Sequence, residues 1–225
     1  TPTGNYVSGD RAMVARERYL PRLFSAAQVA SIHDGTHREW LSAELASRHA
    51  EPLGTYVAKD LKIPTISLRD TILRIQGSFM DSQTDDWLRA LYERLGESPG
   101  LAKDVRSKVP MIRLTDGTHV CARGPHGPMA FLAGPTKTDF PTVRPELCSP
   151  KAVVWLRALD LVRPDPVADI LHNVLPRYAD GAAPPELFAS DFARIADALQ
   201  TDSSKRRKAL LEELKGVACP SGKRV

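Results

Sequence analysis

Apolar residues recur at helical spacing through most of the chain. Two short helical pieces are expected across Tyr19, Leu20, Leu23, Phe24, Val29 and Ile32, the second capped at Ser25. A helix is expected to start at Trp40, Leu41 and Leu45 and to continue after Pro52 through Tyr56, Val57 and Leu61. Leu68, Ile72, Leu73 and Ile75 mark another, with Ser67 or Thr65 as its cap. Trp87, Leu88, Leu91 and Leu95 share one helical face, with Asp85 as the expected cap and Gly96 as the stop. A shorter helix follows at 101–107. Ser149-Pro150 opens the next, because proline at the first helical position has no amide to leave unpaired. Asp165-Pro166 begins a further one, Leu187 to Leu199 carries another, and Ser203 caps the last, with Leu210, Leu211 and Leu214 on its apolar side.

The most strand-like passage is 109–133, VPMIRLTDGTHVCARGPHGPMAFLA. Asp116-Gly117 predicts a two-residue type I′ turn, which needs positive φ at both central positions. A second turn at Gly124, Pro125, Gly127 and Pro128 completes an expected antiparallel meander. Residues 1–15 predict a hairpin that sets Tyr6-Val7 against Met13-Val14, with 217–225 as the start of another.

Placed side by side, these elements share an order. Pro2-x-Gly4-x-x-Val7 matches Pro220-x-Gly222-x-x-Val225, and Trp40-Leu41 parallels Trp155-Leu156. Asp86-Trp87-x-Arg89 recurs as Asp191-Phe192-x-Arg194. The expected fold is therefore α+β, predominantly helical, built as a tandem repeat of hairpin-plus-helices units: 1–108, 109–216, and the first strand of a third at 217–225.

Composition changes this picture little. The net charge of +4 permits contact with nucleic acid without arguing for it. Three cysteines, an odd and scattered set, suit a reducing cytoplasm better than a disulfide framework. No apolar run is long enough for a membrane span, and no signal peptide is visible. The abrupt termini read as those of a segment from a longer protein.

Candidate chemistry is sparse. His119 and Cys121 alternate on one strand, with His126 beyond the turn, but a structural zinc site needs four ligands and only distant Cys148 or His172 could join them. An ordinary strand face is expected. His33 and His37 are split by Gly35 and lack the glutamate of a zinc-protease helix, so they are expected to be loop residues. The one dense basic cluster is Lys205, Arg206, Arg207 and Lys208. Cations in the first turn oppose the helix dipole, which makes these residues the candidate surface for an anionic partner. The competing expectation is a solvated face supported by Glu212 and Glu213. No phosphate loop, dinucleotide fingerprint or nucleophile elbow is present, so no catalytic residue, cofactor or metal is assigned.

The phrases RLTDGTHV, DFPTVRPEL, LDLVRPDPV and NVLPRY resemble the middle region of large bacterial sacsin-like proteins. DDWLRALYERLG before them and TDSSKRRKALLEELKGVACP after them fit the same pattern. Such proteins carry a GHKL (Hsp90- and gyrase-like) ATPase domain near the N-terminus and often a NO VEIN-type C-terminal domain. The magnesium-binding and lid motifs of that ATPase have no counterpart here, so the resemblance carries over no ATP-site residue. It implies a cytoplasmic, non-catalytic scaffold that joins the ATPase to a C-terminal effector and offers a surface to a protein partner. Chaperone-like activity or bacterial defence is the implied context. The alternative reading is a nucleic-acid-binding segment of a defence complex.

Overall fold

β1, the buried run Ala12–Ala15, is the centre of a small parallel sheet. β2 (Glu39–Trp40) pairs along one edge in the register Ala12↔Glu39 and Met13↔Trp40. β3 (Thr65–Ile66) pairs along the other, Val14↔Thr65 and Ala15↔Ile66. Parallel neighbours require crossovers. α1 (Leu20–Leu23) and α2 (Ala26–Ile32) lie between β1 and β2, and α3 (Glu51–Lys59) between β2 and β3. The computed structural model describes residues 6–178, 185–201 and 203–215.

Two expectations are corrected here. Met13 and Val14 belong to a parallel ladder rather than to a hairpin with Tyr6-Val7, which is not strand; Gly4-Asn5 lies outside the described residues. A centre strand covered on both faces is apolar throughout, so it lacks the alternation that reveals a half-buried one. Trp40 likewise lies in a strand and not a helix, with its indole N–H donating to the Phe24 carbonyl at 2.9 Å. The expected helix begins only at Glu51, with Pro52 in its first turn.

The helices that follow are α4 (Leu68–Arg74), α5 (Gly77–Asp81), α6 (Asp85–Gly96), α7 (Ala102–Val105) and α8 (Pro150–Ala158). α6 buries Leu88, Leu91, Tyr92 and Leu95 and packs on α8, which buries Ala152, Trp155 and Leu156. Gly96 does not stop α6 through a left-handed turn; it is the last helical residue, and a Cβ there would stand 2.8 Å from the Lys151 carbonyl of α8.

β4 (Ile112–Arg113) and β5 (His119–Val120) form an antiparallel pair in the register Ile112↔Val120 and Arg113↔His119. Their connection is longer than the two-residue turn expected. The Gly117 amide donates to the Leu114 carbonyl and the Leu114 amide to the Thr118 carbonyl, while Gly117 itself has φ +90°. Only one position, a glycine, needs the left-handed region. A second antiparallel pair, β6 (Arg123–Gly124) and β7 (Gly127–Pro128), follows as a separate two-stranded sheet, so two hairpins stand where one continuous meander was expected.

The chain divides into two compact units, Thr1–Ala130 with Val143–Leu161, and Phe131–Thr142 with Val162–Val225. In the second, α9 (Pro166–Asp169) runs on into a π turn at Ile170–Val174 and a 3-10 turn at Leu175–Tyr178. α10 (Phe188–Leu199) and α11 (Ser204–Leu214) follow. Val167, Ile170, Val174, Leu175, Tyr178, Ile195, Ala198 and Leu210 form its core.

The architecture is thus α+β and mostly helical. Among the described residues, however, a tandem repeat of 1–108 and 109–216 is not shown. The first opens on parallel strands and the second on antiparallel ones; Trp40 is in a strand and Trp155 in a helix. The residue before β4 is tied to α6, since the Tyr92 hydroxyl donates to the Met111 carbonyl. The start of a third unit, 217–225, falls outside the described residues.

Candidate functional site

The basic cluster begins at the Ser203 cap, whose hydroxyl accepts from the Arg206 amide at 3.4 Å. Lys205, Arg206, Arg207 and Lys208 are all exposed in the first turns of α11. Four consecutive residues wind nearly once around a helix, so they cannot form one basic face. The structure divides them. Arg207 turns back to donate to the Leu199 carbonyl at 2.9 Å and the Thr201 carbonyl at 2.6 Å, satisfying the end of α10. Arg206 lies 3.4 Å from Asp165. Beside Arg207 and Lys208 runs a shallow groove that also includes Leu211, Glu212 and Lys215, so its character is mixed rather than uniformly cationic.

The predicted histidine and cysteine candidates do not converge. His33 Nε2 is 3.2 Å from Thr71 Oγ1, while His37 faces Glu39 at 3.9 Å. Burial and the nearby Arg74 charge lower the His33 pKa. His126 is exposed, and Cys121 is half-buried, its thiol pushed up by burial. Cys148 is half-buried and Cys219 lies outside the described residues. Among the described residues, no group of three His, Cys, Asp or Glu side chains is placed to hold a metal.

Sequence reasoning missed two buried charge clusters. In the first unit Arg113, whose side chain is only 8% exposed, donates to Asp85 at 2.6 Å and to the carbonyls of Met80 at 2.9 Å and Gln83 at 2.7 Å. Its Nε donates to His119 Nε2 at 3.0 Å, and His119 Nδ1 lies 2.7 Å from Asp81. Arg144 holds the other Asp85 oxygen at 2.7 Å. Burial raises the Asp85 pKa, but bonds from Arg113 and Arg144 outweigh it and hold the carboxyl below its usual range. Asp85 therefore serves as an anchor for two arginines, and the α6 cap is Thr84, whose hydroxyl accepts from the Trp87 amide.

In the second unit Arg194 reaches Asp139 at 2.8 Å and Asp169 at 2.6 Å, and Arg177 reaches Asp139 at 2.6 Å. The buried Asp191 accepts from the Tyr178 hydroxyl at 3.0 Å and lies 3.3 Å from Arg177. Asp169 also accepts from Asn173 at 2.8 Å. Burial pushes the Asp139 carboxyl up, and the two arginines more than reverse that. A cleft of about 180 Å³ adjoins this network, with Arg163, Lys137 and Pro164 on its walls and Asp169 and Arg194 among its lining. The only sequence signals were the i, i+3 pair Asp191/Arg194 and the i, i+4 pair Asp169/Asn173.

A third place is set by topology. Because β2 and β3 lie on opposite sides of β1, the chain changes direction across the sheet at β1, and open sheets bind ligands outside the carboxyl ends of strands at such a switch. A wide groove of about 700 Å³ lies there, with Ala15, Arg16 and Thr65 on one side and Glu51, Thr55 and Lys59 of α3 on the other. Arg16, Glu51, Thr55, Lys59 and Thr65 are all exposed, so the groove offers polar contact without a buried acid, base or nucleophile. Among the described residues no helix is long and apolar enough to cross a membrane.

Comparison of the chain with protein-family models, with curated proteins and with solved structures finds no match.

Proposed function

We propose that this chain is a non-catalytic scaffold and interaction segment of a sacsin-like protein, linking an Hsp90-like ATPase domain to a C-terminal effector and presenting a surface to a protein partner. One observation supports this most: the groups best suited to chemistry are engaged by other parts of the chain. Arg113 and Arg194 each bridge several elements, and Asp85, Asp139 and Asp169 each accept from arginine. Ionised, arginine-bound carboxylates are poor general acids, and His119 has both ring nitrogens occupied. Such groups fix geometry, which is what a connecting segment requires. The test is the complete reading frame together with a binding titration. An upstream GHKL domain that binds this chain saturably is expected; a reading frame without that domain overturns the proposal.

The exposure of Lys205 and Lys208 favours a second reading, contact with nucleic acid. It requires affinity for an oligonucleotide that falls steeply with salt and is lost on Lys205→Glu with Lys208→Glu. Salt-insensitive or absent binding removes it.

A further inference from the structure

We infer that His119 is an acid-sensitive latch that holds β5, with the turn before it, against α5. The bonds around its ring fix where its proton sits. An arginine Nε–H can only donate. His119 Nε2, 3.0 Å from Arg113 Nε, must therefore accept, which leaves the hydrogen on Nδ1 to be donated to Asp81 at 2.7 Å. The imidazole side chain is 3% exposed, so no open space lets it turn aside.

Adding a proton places a second donor on Nε2, facing the first. The Arg113–His119 bond must then break, and two positive charges are left side by side. The charged groups around the ring come from each element packed on it: Arg113 from β4, Asp81 from α5 and Asp85 from α6. Asp81 favours the imidazolium, but its side chain is 66% exposed and water screens it. Asp85 is already shared by Arg113 and Arg144. Burial and the Arg113 charge accordingly win, and they lower the His119 pKa below its ordinary value of 6.5. A histidine whose pKa is depressed by folding stabilises the fold above the unfolded value. That contribution is lost as pH falls from about 6.5 through the lower folded pKa.

The expected opening is local. Arg113 keeps its bonds to Met80, Gln83 and Asp85, so α5 and α6 stay joined. What loosens is β5 with the end of the turn before it, held to β4 by a two-residue ladder and the Leu114–Thr118 bond, while Leu114 stays bridged to Val143.

Two measurements on the full chain test this. At a pH of about 7.5, imidazole nitrogen NMR should show His119 neutral with its hydrogen on Nδ1. Hydrogen exchange at the Leu114 and Gly117 amides, corrected for intrinsic rates, should lose protection severalfold between about pH 7.5 and 5. His119→Gln can donate to Asp81 and accept from Arg113 without titrating, so its protection should not change with pH. If that variant does not fold, the wild-type nitrogen spectrum and exchange profile decide. An Nε2–H tautomer, an imidazolium at pH 7.5, a flat wild-type profile, or a glutamine variant as acid-sensitive as wild type each overturns the latch.

Discussion

Arg113 shows how much one side chain can determine. It donates to Asp85 and to the Met80 and Gln83 carbonyls, joining the end of α5 to the start of α6. Removing one partner of a buried pair leaves the other uncompensated, so Arg113→Met should cost about 3 kcal/mol, read from urea unfolding. The carboxylates give a second expectation. Asp85 and Asp139 have folded pKa values below the ordinary 3.8, so they stabilise the protein above that value. Their contribution is lost as pH falls through the lower folded values. The unfolding midpoint should therefore drop between about pH 4 and 2, and Asp85→Asn should flatten part of that drop. None of these pairings was legible beforehand. Asp85 and Arg113 are distant in sequence, and each reads alone as an ordinary cap or strand residue. Conversely, Arg207 looked available as part of a basic run. Only the fold reveals that it is used on the carbonyls of Leu199 and Thr201.

Elements were legible where local chemistry sets them. Ser25 forms a full capping box with Gln28, and Ser67, Ser149, Asp165 and Ser203 all cap as their side chains dictate. Elements defined by partners were not. β1 and β2 are held by a parallel ladder between residues more than twenty apart in sequence, and nothing in a local window encodes that pairing. Gly96 is intermediate: its position at a helix end was readable, but not its reason. The missing side chain lets α8 approach, so Gly96→Ala must push the Lys151 backbone or deform α6. Alanine's better helix propensity, worth about 1 kcal/mol, is expected to be outweighed by overpacking of about 1–3 kcal/mol. Thermal denaturation should show a lowered midpoint; a raised one would mean that the helices adjust freely.

At the scale of the whole chain, the two units are not successive. Phe131–Thr142 belongs to the second unit yet lies between two stretches of the first. Its Phe131 and Phe140 rings meet at 4.8 Å, and the Leu132 amide donates to the Val162 carbonyl. A protein ended after Leu161 should keep the first unit's tryptophan emission, since Trp40, Trp87 and Trp155 all lie there, while 131–142 becomes a preferred site of proteolysis. Equal resistance of that segment in the short and full-length forms would contradict the assignment.

The same interleaving bears on how the chain is made. During synthesis 131–142 leaves the ribosome well before Val162 and the helices of its own unit exist. At the usual pace of about 5–20 residues per second, Phe131, Leu132 and Phe140 spend some seconds without their partners. Slowed translation after Leu161 would lengthen that interval and favour association of the nascent chain with holdase chaperones.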